Sequence, residues 1–309
     1  MTKDAKVLHA FINFYIIQRG KNDPCAAVAH GTKTGETMKY MLLTAAAITA
    51  VFGLSFLIAG LIRRKMKKKP PMWAHVFIGI GTGLLIFCAV GFGYLSIHYT
   101  AQDEALAVLS DHSGVSVSEI DGGYKIDSSG EKTAMIFYPG AKVDATAYLP
   151  LMQQIAESGI DCYLLKTPFR MPIFDKDAAD RIIANNHYDT WLLSGHSMGG
   201  LIASSYAAEH ADTVDGVVLL AAYPTKKLSD SLKLLSVYGT EDSVLEQDVY
   251  LHAKQYFPTD FTEKIIDGGN HAGFGNYGPQ KGDGKATITA QDQQTQTAFA
   301  IRQFADTFQ

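Results

Sequence analysis

The chain has 309 residues, more than one average domain, and its near-balance of 27 Lys and Arg against 31 Asp and Glu hides two unlike parts. Residues 1–99 carry 12 basic against 3 acidic side chains, whereas residues 100–309 carry 15 against 28. The acidic part argues against nucleic-acid binding, which demands a clustered basic face, and Cys25, Cys88 and Cys162, far apart and without ligand spacing, argue against a disulfide framework or a zinc site.

In chain order, residues 1–39 form an N-terminal tail. Its apolar run 7–17, "VLHAFINFYII", is too short to span a bilayer and suits either an interfacial or a short amphipathic helix. Residues 40–62, "YMLLTAAAITAVFGLSFLIAGLI", carry no formal charge and meet the roughly 20 residues that a helix needs to cross. Residues 70–102 are again uncharged, and 72–97 read as a second span, with Trp73, Tyr94 and Tyr99 near its ends, where aromatic rings favour the interface. Ala45, Thr49 and Gly53 in the first span, and Gly79 and Gly83 in the second, recur every fourth residue and offer small faces for helix packing. A transmembrane helical hairpin over 40–99 is therefore expected. A cleaved signal peptide is disfavoured, because the first long apolar run begins only at Tyr40 and a second follows at once.

Between the spans lies "RRKMKKK", six cations in the seven residues 63–69. Short cationic loops resist translocation, so this loop is expected in the cytoplasm and the part after the second span outside it. The six cations of the tail pull the other way, but they are spread over 39 residues.

From about residue 100 to 309 a soluble domain follows. Apolar bursts alternate with helical segments, the pattern of a mostly parallel sheet flanked by helices in an α/β fold. "AMIFYPG" (134–140) reads as the first buried strand, followed by a helix over 145–158. "IDCYLLK" is the next strand and 176–186 the next helix, and "TWLLSG" then leads into a helix "MGGLIASSYAAEH". "GVVLLAA", "LLSVYGT" and "TEKIIDGG" read as three further strands, and 291–308 as a final amphipathic helix.

Gly195-His196-Ser197-Met198-Gly199 matches G-x-S-x-G after a strand and before a helix, where the serine is thrust out at the top of the sheet. Flanking glycines let the chain reverse without side-chain clashes. A serine hydroxyl needs a base, and the base needs an acid to orient it. "YGTED" supplies Asp242 after its strand and "DGGNHAGFG" supplies His271 after the next, so nucleophile, acid and base run in the order Ser197, Asp242, His271. Glu241 is the rival acid, Asp267 could instead hold the loop of His271, and His252 falls in a helical segment. His196 reads as packing, turned away from the nucleophile's approach. For the oxyanion, the Met198 amide is one donor and the turn "YPGAKVD" offers another, from Ala141 ahead of Lys142.

From about 133 to 308 the elements resemble the alpha/beta-hydrolase superfamily. Within it, "YPGAKVDATAYLPL", "GHSMGG", "YGTED" and "GGNHAGFGNYGPQKGDGKATI" are similar to a small bacterial group loosely related to dienelactone hydrolases. The resemblance implies a serine hydrolase cleaving an ester or related acyl bond of a small-molecule or lipid-like substrate, with no metal or organic cofactor. Dienelactone hydrolases proper use a cysteine where Ser197 stands, so their substrate is not carried over, and the membrane part lies outside the resemblance. An acyltransferase would use the same three residues, and a membrane-anchored binding protein would keep the fold without the chemistry.

Overall fold

In the computed structural model, residues 32–66, 71–110, 114–128 and 132–308 are described, with side chains inside the first helix from residue 48 onward. The run 7–17, Cys25, Ala45 and the cations Lys67 to Lys69 lie outside the described residues, or outside the described side chains. The chain divides into two compact units between Ile97 and His98.

In the first unit, helix α1 covers Thr32–Lys65 and helix α2 covers Met72–Ser96. Among the described residues α2 alone is long and apolar enough to cross a membrane, with a mean hydropathy of 2.2 over its best window. Two spans were expected from sequence; one helix meets the test. Phe77, Leu85 and Val90 on α2 are largely exposed, so this helix is apolar around its circumference rather than along one stripe. The two helices do not meet through small faces on both sides. A Cβ at Gly79 would come within 2.5 Å of the Phe56 ring and one at Gly83 within 2.6 Å of the Phe52 ring, while one at Gly53 would meet nothing within 4 Å. Aromatic rings of α1 fill the gaps that the glycines of α2 leave.

The second unit is built on eight strands: β1 Ser116–Ile120, β2 Gly123–Asp127, β3 Thr133–Tyr138, β4 Asp161–Leu165, β5 Thr190–His196, β6 Gly216–Leu220, β7 Lys233–Gly239 and β8 Phe261–Ile266. They form one sheet in the order β1-β2-β4-β3-β5-β6-β7-β8. β3 to β8 run parallel, whereas β1 and β2 form an antiparallel ribbon on the β4 edge. The sheet thus begins two strands before 134–140, the first strand legible in the sequence. The exposed residues of β1 dilute the apolar signal, but the turn is written as Asp121-Gly122 between the two strands, with Gly122 at φ 80°.

Helices α3 Asp103–Ala107, α4 Leu149–Glu157, α5 Ala178–Ile183, α6 Met198–Glu209, α7 Gln247–Ala253 and α8 Ala290–Ala305 complete the unit. Successive residues of a strand point to opposite faces, and both faces of β3 to β7 are covered, whereas β8 at the sheet edge leaves Phe261 and Ile265 exposed. Met135 and Phe137 of β3 pack with Leu151 of α4 and Ile301 of α8 on one side. Ala134 and Ile136 pack with Ile182 of α5 and Tyr206 of α6 on the other.

Tyr99 was expected at a membrane interface, but it belongs to this second unit. It bridges Val143 in parallel, its amide donates to the Lys142 carbonyl at 2.7 Å, and its ring lies 5.5 Å from that of Tyr277. α8 starts at a capping box in which Thr289 accepts from the Asp292 amide at 3.0 Å and Asp292 from the Thr289 amide at 3.3 Å. Thr289→Ala should lower the stability of the globular unit by about 1 kcal/mol, measured by urea denaturation of the full chain in detergent, because the cap satisfies a helix-end donor that alanine leaves open.

Candidate active site

The candidate residues converge because β5, β7 and β8 end on the same edge of the parallel sheet, and the chemistry of such sheets collects outside the carboxyl ends of the strands. At the end of β5 the chain reverses into α6 through Ser197, whose backbone sits at φ 53°, ψ −121°. This conformation is sparsely populated for a residue with a Cβ and costs about 1–3 kcal/mol. The Ser197 amide donates to the Leu220 carbonyl of β6 at 2.9 Å, and the Ser197 carbonyl accepts from the Gly200 amide at 3.0 Å. The motif glycines are dictated by contact. A Cβ at Gly199 would lie 2.0 Å from the Tyr138 carbonyl oxygen, and one at Gly195 would lie 2.3 Å from Gly199 backbone. Within Gly195 to Gly199, only Ser197 is not buried.

The loop after β7 carries Asp242 and the loop after β8 carries His271. His271 Nδ1 donates to Asp242 Oδ2 at 2.9 Å, and both side chains are almost wholly enclosed. The other carboxylate oxygen of Asp242 accepts from the amides of Val244 and Leu245, each at 2.8 Å. The rivals fall away from this pair. Glu241 and Asp267 are exposed, each with a carboxylate oxygen 3.4 Å from the Thr240 hydroxyl; His252 is exposed on α7, with its ring against the Asp248 carbonyl.

With Nδ1 committed to Asp242, His271 presents Nε2 as its acceptor. This atom is buried and has no hydrogen-bond partner among the described residues, Ser197 included. Such bonds are often open before substrate arrives. The Met198 amide, first in α6, has no acceptor within its own helix. In the turn after β3, the Lys142 amide donates to the Arg170 carbonyl at 2.7 Å, whereas no backbone bond from Ala141 occurs among the described residues.

His196 is packed, as expected, but not away from the site: its ring centroid lies 4.6 Å from that of His271. Sequence reasoning also gave no role to Asp283. Its Oδ2 accepts from the Ala272 amide at 2.9 Å and its Oδ1 from the His271 amide at 3.3 Å and the Gly284 amide at 2.8 Å. Gln293 of α8 brackets Asn270, accepting from its amide at 3.0 Å and donating to its carbonyl at 2.8 Å. The distinctive run of residues beyond His271 thus folds back to hold the backbone on which the imidazole stands. Its glycine-rich composition was the available signal.

A sequence profile of the alpha/beta hydrolase family matches residues 134–295, more than half of the chain. The chain belongs to the alpha/beta hydrolase family. No curated protein matches this hydrolase in sequence. Among solved structures it is similar to mouse alpha/beta hydrolase domain-containing protein 10, at 10% identity and a TM-score of 0.46, over 64% of this chain and 100% of that one. It is also similar to Est1E from Butyrivibrio proteoclasticus, at 13% and 0.44 over 63% and 99%. A soluble variant of monoglyceride lipase from Saccharomyces cerevisiae matches at 9% and 0.44, over 64% and 97%.

Asp242→Ala should destabilise the hydrolase unit by about 3 kcal/mol, because it leaves the His271 ring and two backbone amides without their buried acceptor. Glu241→Ala, at an exposed site, should stay within about 0.5 kcal/mol of the parent. Urea denaturation followed by tryptophan fluorescence reads both.

Proposed function

We propose that this hydrolase is a membrane-anchored serine hydrolase that cleaves a carboxylic ester or related acyl bond through an acyl-enzyme on Ser197. The observation that carries the reading is the enclosed pair of Asp242 and His271, bonded at 2.9 Å and leaving Nε2 without a partner, in the same unit as a serine on a strained strand-to-helix turn. The similarity to the dienelactone-related group belongs to this reading through the loop beyond His271.

In the proposed reaction, His271 Nε2 takes the hydroxyl proton as Ser197 Oγ attacks the acyl carbon. The negative charge that develops on the former carbonyl oxygen is met by the amides of Met198 and Ala141, which are fixed before substrate binds and need no reorganisation. Asp242 holds the imidazole in the Nδ1–H tautomer and stabilises the imidazolium. The tetrahedral intermediate collapses, the bond to the leaving oxygen or sulfur breaks, and that atom receives the proton from His271. Water then repeats the sequence on the acyl-enzyme, giving up its proton to His271 and releasing the acid and Ser197.

The apolar circumference of α2 supports the anchor, and the segment 40–62 of α1, which carries no formal charge, is the other proposed span. With the cationic loop 63–69 held in the cytoplasm, two spans bring the hydrolase unit to the other side.

Ser197→Ala should abolish both turnover of p-nitrophenyl esters and fluorophosphonate labelling in a folded chain, and His271→Ala should resemble it. Labelling that persists at another serine would remove Ser197 from this role. Asp242→Asn should lower kcat by about 10⁴-fold, while Glu241→Gln leaves it within about twofold. For topology, protease added to intact spheroplasts should remove the hydrolase unit; protection until lysis would reverse the orientation.

A further inference from the structure

Behind the proposed oxyanion turn lies a buried polar chain for which the reaction above has no use. The Gly140 amide donates to the Tyr148 hydroxyl at 3.1 Å, and that hydroxyl lies 2.8 Å from His196 Nδ1. Both side chains are buried, and a Cβ at Gly140 would come within 2.9 Å of each of those two atoms. With the Tyr148 oxygen accepting from Gly140, its own proton is free to go to His196 Nδ1, the arrangement in which that nitrogen is the acceptor. Burial holds the Tyr148 phenol protonated far up the pH scale. Burial, and then the neighbouring His271, hold His196 well below the usual histidine range. His196 is therefore neutral beside His271 and does not compete for the proton that the base must carry.

We propose that His196 is a positioning residue, acting through the Tyr148 hydroxyl to fix the turn at Gly140 that presents the Ala141 amide to the oxyanion. The proposal rests on the serine-hydrolase reading. Tyr148 spans 48 residues of sequence to reach His196, so this chain ties the turn after β3 to the elbow after β5. A turn held only by its backbone could shift by a fraction of an ångström, and such displacements weaken catalysis while leaving substrate affinity nearly intact.

The test uses the full chain in detergent with p-nitrophenyl acetate and a fluorophosphonate probe. Tyr148→Phe retains the ring that packs against Phe137 and Tyr277 and removes only the relay oxygen. It should lower kcat about tenfold with KM within about twofold. His196→Phe, which lacks the acceptor, should lose at least as much. His196→Asn, whose Oδ1 can stand where Nδ1 stood, should recover to within about threefold of the parent. Combining Tyr148→Phe with His196→Phe should cost no more than the worse single variant, because both cut one chain.

Parental kcat in folded Tyr148→Phe would overturn the proposal. So would equal losses in His196→Asn and His196→Phe at matched melting temperatures, or additive losses in the double variant. Ser197→Ala, run alongside, separates the two ideas: if it keeps its labelling, the serine-hydrolase reading fails, and if it alone is silent while the relay variants are normal, only the relay fails.

Discussion

The reversal of the backbone at Ser197 is the constraint on which the site depends. A strand can turn into a helix this tightly only if the helix starts against the neighbouring strand, and the Tyr138 carbonyl oxygen occupies the place where a Gly199 side chain would be. The strained φ of Ser197 persists because its amide and carbonyl are both bonded, to Leu220 and to Gly200, and because the surrounding core leaves no other path.

Everything else in the site is a loop held against this turn. Asp242 and His271 stand after adjacent parallel strands, β7 and β8, so their separation follows from strand spacing once the two loops are fixed. The first loop is fixed by Asp242 itself, through the amides of Val244 and Leu245, and the second by Asp283 and Gln293. One consequence is that Asp242 is both the partner of His271 and the staple of its own loop. Its carboxylate is satisfied by three donors while fully enclosed, which is how a charge can be buried there at acceptable cost.

The two units follow different packing rules. In the globular unit, apolar residues on both faces of the strands are removed from water, and the gain scales with area. In the helical unit, large side chains remain exposed on α2, and the contact between helices is a matter of fit, rings of Phe52 and Phe56 against the backbone at Gly83 and Gly79. Small residues serve close approach here by admitting rings, not by bringing two bare backbones together.

What could be read from the sequence was whatever is encoded within a few residues. The apolar runs of α2 and of β3 to β7, the glycines flanking Ser197, and an acid and a histidine each just past a strand are local patterns, because strand alternation, turn chemistry and helix capping act over short stretches of chain. The β1–β2 ribbon escaped because β1 is largely exposed and β2 is only five residues long, and Tyr99 falls in the globular unit because its ring packs on Tyr277. Only the tertiary structure decided that Asp242 and not Glu241 faces His271, that Asp283 grips the loop of His271, and that His196 lies against His271 and reaches Tyr148. Those choices join residues far apart in the chain, 29 positions for Asp242 and His271 and 48 for Tyr148 and His196. Which of two adjacent carboxylates points inward is set by the packing of strands and loops around it, and no local pattern carries that information.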